Sequence, residues 1–179
     1  MRDSSKAALG GMIAALSIVV MLITYISPLL VYTAPPFAGL LLIVIVYEMG
    51  FGWACGTYAA ISLLSVFLIA DKEAALFFVM FFGYYPILKQ LLTLKIKKQG
   101  IRLIVAFIIF NLSLACTVFL GEKFFSVDYS ELTNGGKAFF ILFWGLMNAV
   151  FFVYDFLTDR LSLLYRKKLQ KKVRRLFKR

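Results

Sequence analysis

Two asparagines embedded in apolar sequence, Asn111 and Asn148, and two acids at the edges of such sequence, Glu48 and Asp155, are the first residues able to do chemistry in this chain. Polar groups in hydrocarbon surroundings cost free energy, so they mark either function or a hydrogen bond to a neighbouring helix. Asn111 and Asn148 fall at matching depth and can bond each other or a ligand. Lys89 and Arg160 are placed to neutralise Glu48 and Asp155; a proton relay is the sharper alternative. No apolar stretch sets two acids, or an acid and a base, together at mid-depth, which gives an ion-coupled pump little support. The sequence has no His and two Cys, Cys55 and Cys116, both inside apolar runs and far apart. The commonest general base and metal ligand is therefore absent, and the cysteines read as small hydrophobes rather than a metal or disulfide pair. Neither a cofactor nor a metal is expected, nor an enzyme, because no acid, base and nucleophile converge.

A second group lies toward one end of the apolar stretches. Tyr25, Tyr32 and Thr33 can face Asp71, Lys72 and Glu73, and aromatic surface with a few polar groups suits a small organic ligand. The run Phe81-Phe82-Gly83-Tyr84-Tyr85-Pro86 adds two hydroxyls, a small residue and a kink. Proline there frees a backbone carbonyl, and Gly83 lets another backbone or a ligand come close. Tyr84 joins the candidates on that ground; packing and anchoring of the bundle is the plainer use of the same aromatics.

These residues are positioned by elements that the charge distribution delimits. Between Lys6 and Glu48 lie 41 residues without an Asp, Glu, Lys or Arg, and three further uncharged runs of at least 17 follow. A helix crossing a bilayer needs about 20 mostly apolar residues, so a composition 62% hydrophobic leaves only short connections and no soluble catalytic domain. The expected architecture is all-α, a polytopic membrane bundle of six transmembrane helices spanning residues 1–160, followed by a tail at 161–179. The first span is Ala7 to Ile26, too long for a signal-peptide core and ended by Ser27-Pro28. The second starts at Pro35-Pro36, where Pro suits a first helical turn, and ends near Glu48. It falls short of a full crossing, so either the link from Leu29 to Ala34 dips into the membrane or the helix begins nearer Leu29. Trp53 to Ile69, Ala74 to about Leu92, Ile101 to Leu120 and Ala138 to about Leu157 complete the set. A polar loop from Gly121 to Lys137 carries the turn signal Asn134-Gly135-Gly136, with Phe124, Phe125 and Tyr129 suited to the headgroup level.

Six spans sort the Lys and Arg residues sharply, with seventeen on the side of both termini and three, Lys72, Lys123 and Lys137, on the other. Basic loops stay in the cytoplasm, which places both termini there and makes the net charge of +11 a sign of topology. No nucleic-acid partner is expected. In the tail, Leu161, Leu164, Tyr165, Leu169, Val173, Leu176 and Phe177 recur at three- and four-residue steps among basic residues. That pattern is an amphipathic helix able to lie on anionic membrane lipid or dock a partner. In the first span Ala7, Gly11 and Ala15 stand four apart, with Gly10 and Ala14 on the neighbouring stripe. Small residues at that spacing let helix backbones approach closely, within the chain or against a partner subunit.

About 180 residues, six spans, cytoplasmic termini, a proline-bearing first outer loop and the stripe Ala7-Gly11-Ala15 together resemble the substrate-binding S component of an energy-coupling factor (ECF) vitamin transporter. The resemblance is architectural and covers the whole chain. It implies a bacterial cell-membrane protein that takes up a small-molecule ligand with a transmembrane coupling protein and ATPase subunits. It further implies that Ala7, Gly11 and Ala15 form the coupling surface, and that Tyr32, Thr33 and the Asp71 to Glu73 region border the ligand. No Gly-rich run followed by Lys-Ser or Lys-Thr occurs, in keeping with a subunit that borrows its ATPase. The alternative is a membrane scaffold similar to small bacterial rod-shape or sporulation proteins, recruiting division or envelope partners.

Overall fold

The computed structural model describes residues 3–125, 136–170 and 173. Among these every regular element is helical: α1 Asp3–Leu22, α2 Ala34–Met49, α3 Phe51–Leu68, α4 Lys72–Phe77, α5 Tyr85–Lys95, α6 Gln99–Phe125 and α7 Gly136–Leu164. Among the described residues five stretches are long and apolar enough to cross a membrane, namely Asp3–Tyr25, Phe51–Leu68, Lys72–Lys95, Gln99–Phe125 and Phe139–Leu169. Large apolar side chains stand exposed along them, among them Phe67, Ile104, Leu112, Ile141 and Phe152, a surface that suits lipid rather than water. Together these are the marks of a multi-pass membrane protein.

The second apolar helix differs from the rest. At 16 residues and about 1.5 Å rise per residue, α2 is shorter than the roughly 30 Å hydrocarbon core. Yet it is the centre of the bundle, packed against α1, α3, α5 and α7. Its buried residues, including Ala38, Leu40, Leu42, Ile43 and Ile45, lie on nearly all sides, as expected of a helix that is apolar all round. The link before it is neither a loop nor an extension of α2. Pro28–Val31 forms a 3-10 turn, and Pro35 and Pro36 occupy the first turn of the helix, where a missing N–H costs nothing. Gly50, at φ 83°, reverses the chain so that α3 starts at once; that conformation favours glycine. On α1, Gly10 and Ala14 face inward while Ala7, Gly11 and Ala15 are exposed, and Ser17 donates to the Ala38 carbonyl at 3.3 Å. The two neighbouring small-residue stripes thus divide, one into the bundle and one outward.

The fourth apolar stretch is a broken helix. After α4, residues Phe78–Phe82 form a π turn, and α5 begins after Gly83-Tyr84 with Pro86 in its first turn. Because the Gly83 N–H donates to Phe78 O at 2.8 Å, the Val79 carbonyl is left over. Because Pro86 has no N–H, the Phe82 carbonyl is left over too. Tyr58 takes the first (2.6 Å) and Tyr154 the second (2.8 Å), so neither carbonyl is stranded. Phe81 sits at the hub of the break, its ring 4.7 Å from Tyr85 and 4.8 Å from Phe110. Around it Phe82, Phe151 and Tyr154 build an aromatic core joining α2, α6 and α7 to the π turn.

Close approach of α2 to this break depends on Gly39, where a Cβ would run into the Phe82 carbonyl and the Tyr154 hydroxyl. Gly39→Ala is expected to lower stability by about 1–3 kcal/mol, the usual cost of overpacking. Gly11→Ala, with nothing within 4 Å of the added carbon, serves as the control: it gains helix propensity of about 1 kcal/mol and does not lower the unfolding temperature in detergent. Equal melting of the two variants would refute the packing.

The last helix passes residue 160 without interruption and continues through a π turn at Tyr165–Leu169. Tyr165 is buried, donates to Glu48 at 3.2 Å and stacks on Tyr47, while Leu161, Leu164 and Leu169 are exposed. The start of the tail is therefore an extension of the bundle. Arg2, Tyr129, the Asn134-Gly135 part of the turn signal, Leu176 and Phe177 lie outside the described residues.

Candidate functional site

A cleft of about 730 Å³ lies between α2 and α7. Its walls are apolar: Phe37 and Leu40 from α2 meet Phe143, Met147, Val150 and Val153 from α7. These residues recur at three- and four-residue steps, which puts one face of each helix toward the gap. Phe37, Phe139, Leu146 and Val153 are each at least 45% exposed, so the cleft opens sideways along the two helices rather than closing into a shell. Polar groups gather at one end, where Tyr32, Thr33 and Glu73 line it.

The Tyr32 hydroxyl donates to the Glu73 carboxylate at 3.3 and 3.4 Å to its two oxygens, and its ring packs edge-on against Phe77 at 5.7 Å. Burial first, and then the Glu73 charge, push the Tyr32 phenol above its ordinary value. The phenol thus stays protonated at working pH and acts as a donor. An apolar volume with one oriented carboxylate and a phenol at its end can hold an organic molecule by its hydrocarbon body and fix an amino or hydroxyl group.

Of the residues singled out in the sequence, three come together here, Tyr32, Thr33 and Glu73. Their neighbours do other work. Asp71 caps α4, its side chain accepting from the Ala74 N–H at 3.4 Å, and Lys72 donates to the Val66 and Ile69 carbonyls at the end of α3, both at 2.8 Å. Tyr25 accepts from the Ala70 N–H at 3.2 Å, tying the α1–α2 link to the α3–α4 turn. Tyr84 shares a hydrogen bond with Ser113 at 2.9 Å inside the bundle. None of these four lines the cleft.

Asn111 and Asn148 meet, as one of the two readings of their depth expects. Asn111 donates to the Asn148 side chain at 3.0 Å and receives the Trp144 indole N–H at 2.8 Å, while Asn148 donates to the Trp144 carbonyl. The amides are thereby committed to joining α6 to α7. Lys89, 15% exposed, pairs with Asp155 at 2.6 Å and with Asp159 at 3.0 Å, and Tyr85 also donates to Asp155. Arg160 does not join them; it lies over the Phe156 ring, 5.0 Å from its centre. Glu48 is bonded to Tyr165 rather than to Lys89.

What the sequence did not single out is the apolar lining, since Leu40, Phe143, Met147 and Val150 are typical of any membrane helix. The one available signal is the shortness of α2, which leaves the side of α7 that faces it without a full-length partner. Compared with family models, with curated proteins and with solved structures, the chain finds no match.

Proposed function

We propose that this chain is the substrate-capturing membrane subunit of an ATP-driven uptake system, holding a small organic molecule such as a vitamin in the cleft between α2 and α7. The observation that carries this reading is the cleft itself, about 730 Å³ of apolar space ending on Glu73 and Tyr32. Volumes of a few hundred to a thousand Å³ with few convergent polar groups are the usual form of small-molecule sites. In this reading α2 is a short sixth crossing of a bacterial cell membrane. Both termini face the cytoplasm, and the polar end of the cleft lies toward the outside, where the basic residues are sparse.

A separate coupling protein and ATPase subunits supply the energy in this scheme. The exposed stripe Ala7, Gly11 and Ala15 is the surface through which they act, because open space at Gly11 permits another helix to approach closely. The test is affinity recovery from native membranes together with thermal shift across a panel of vitamins. A coupling protein and ATPases should be recovered with the chain, less so with Gly11→Leu, and one panel member should raise the melting temperature. Normal uptake with altered cell shape on genetic depletion would favour a scaffold instead.

A further inference from the structure

A second cleft, separate from the first, lies between α5, the start of α6 and the far end of α7, with a volume of about 670 Å³. Four basic side chains line it: Lys89, Arg102, Arg160 and Arg166. They are not equivalent. Lys89 is held by Asp155 and Asp159, and among the described residues the ion pairs in this region are both its own. The three guanidiniums face a cleft whose other polar groups are neutral, Gln99 and Ser162 among them, apart from the Asp159 carboxylate that Lys89 already binds. Two of the three are propped in place by rings, Arg160 over Phe156 at 5.0 Å and Arg166 over Tyr47 at 6.0 Å. Planar guanidiniums converging from two helices are suited to the oxygens of a phosphate group, which accept paired N–H donors.

We propose that this cleft binds a phosphate group, presented by the headgroup of an anionic membrane lipid. The position argues for a lipid. The cleft lies where α5 ends at Lys95 and α6 begins at Gln99, which is the level at which two apolar stretches meet the bilayer surface. Its rim carries Leu94, Phe156 and Leu163, 66%, 56% and 48% exposed, a path for acyl chains beside the headgroup. Basic pockets between membrane helices recognise lipid headgroups by this combination of charge and neighbouring apolar surface.

The full chain in neutral detergent is titrated in native mass spectrometry with phosphatidylglycerol, phosphatidylcholine or inorganic phosphate. Phosphatidylglycerol should be retained in preference to phosphatidylcholine. The triple variant R102Q/R160Q/R166Q should lose about tenfold or more of that binding, since each charge-assisted hydrogen bond is strong. The variant K95Q/K97Q/K98Q removes the same charge from exposed positions beside the cleft and should stay within about twofold of the parent. Inorganic phosphate bound with the same arginine dependence, and phosphatidylglycerol no better, would keep the phosphate site and overturn the lipid as its source. Equal losses in the arginine and lysine variants, or no loss in either, would overturn the site itself.

Discussion

Replacing Lys89 with Met is expected to destabilise the protein by about 3 kcal/mol, the lower end of the cost of leaving one member of a buried ion pair behind. Asp155 is 18% exposed and Lys89 15%, so neither charge is well solvated. Lys89 also donates to the Asp155 main-chain carbonyl at 2.6 Å, tying α5 to α7 through one ammonium group. Without it Asp155 keeps the Tyr85 hydroxyl, which is why the expected loss is not larger. The double variant K89M/D155N should recover at least half of that loss, because the amide still accepts from Tyr85 and the charge that remains, on Asp159, is 50% exposed and solvated. Thermal unfolding of the parent, K89M, D155N and the double variant in one detergent measures the coupling. A K89M protein as stable as the parent, or additive losses in the double variant, would show that the pair does not hold these helices together.

The second large effect is on binding. Ala149 lines the α2–α7 cleft and is exposed to it, so Ala149→Trp places an indole in the cleft without entering the aromatic core. Ligand affinity should fall by about tenfold or more, since the added ring occupies volume that the ligand's apolar body needs. Thermal stability without ligand should be nearly unchanged. Glu73→Gln keeps the shape and a hydrogen-bond acceptor for Tyr32 but removes the charge. If the ligand carries an amine, that variant should weaken binding and leave the folded chain intact; both readouts come from thermal shift with the panel member that binds the parent. An A149W protein that binds as the parent does would place the ligand elsewhere.

The helices were legible because charge is excluded from hydrocarbon, and the runs between Lys6, Glu48 and Asp71 show where the chain can lie in it. The pairing of Asn111 with Asn148 was partly legible, since two amides at equal depth have few other ways to be satisfied. The break at Phe78–Phe82 was legible only as a kink at Pro86. The π turn also needs Tyr58 and Tyr154 to take the released carbonyls, and those arrive from helices 20 and more residues away. Asp71 and Lys72 looked like site residues because they are charged beside an apolar stretch, and the structure spends them on helix ends instead. The cleft itself was not legible: its lining is Phe, Leu, Met and Val, and nothing local separates a leucine facing a gap from one facing lipid.

The most direct test is to release the full chain from native membranes and weigh it intact, with its noncovalent companions, by native mass spectrometry. The predicted result is a one-to-one adduct with a small organic molecule that is distinct from any phospholipid and is missing from the Ala149→Trp protein. A chain that carries phospholipid alone, and whose melting temperature no vitamin in the panel raises, would contradict the proposal that the cleft between α2 and α7 captures a substrate.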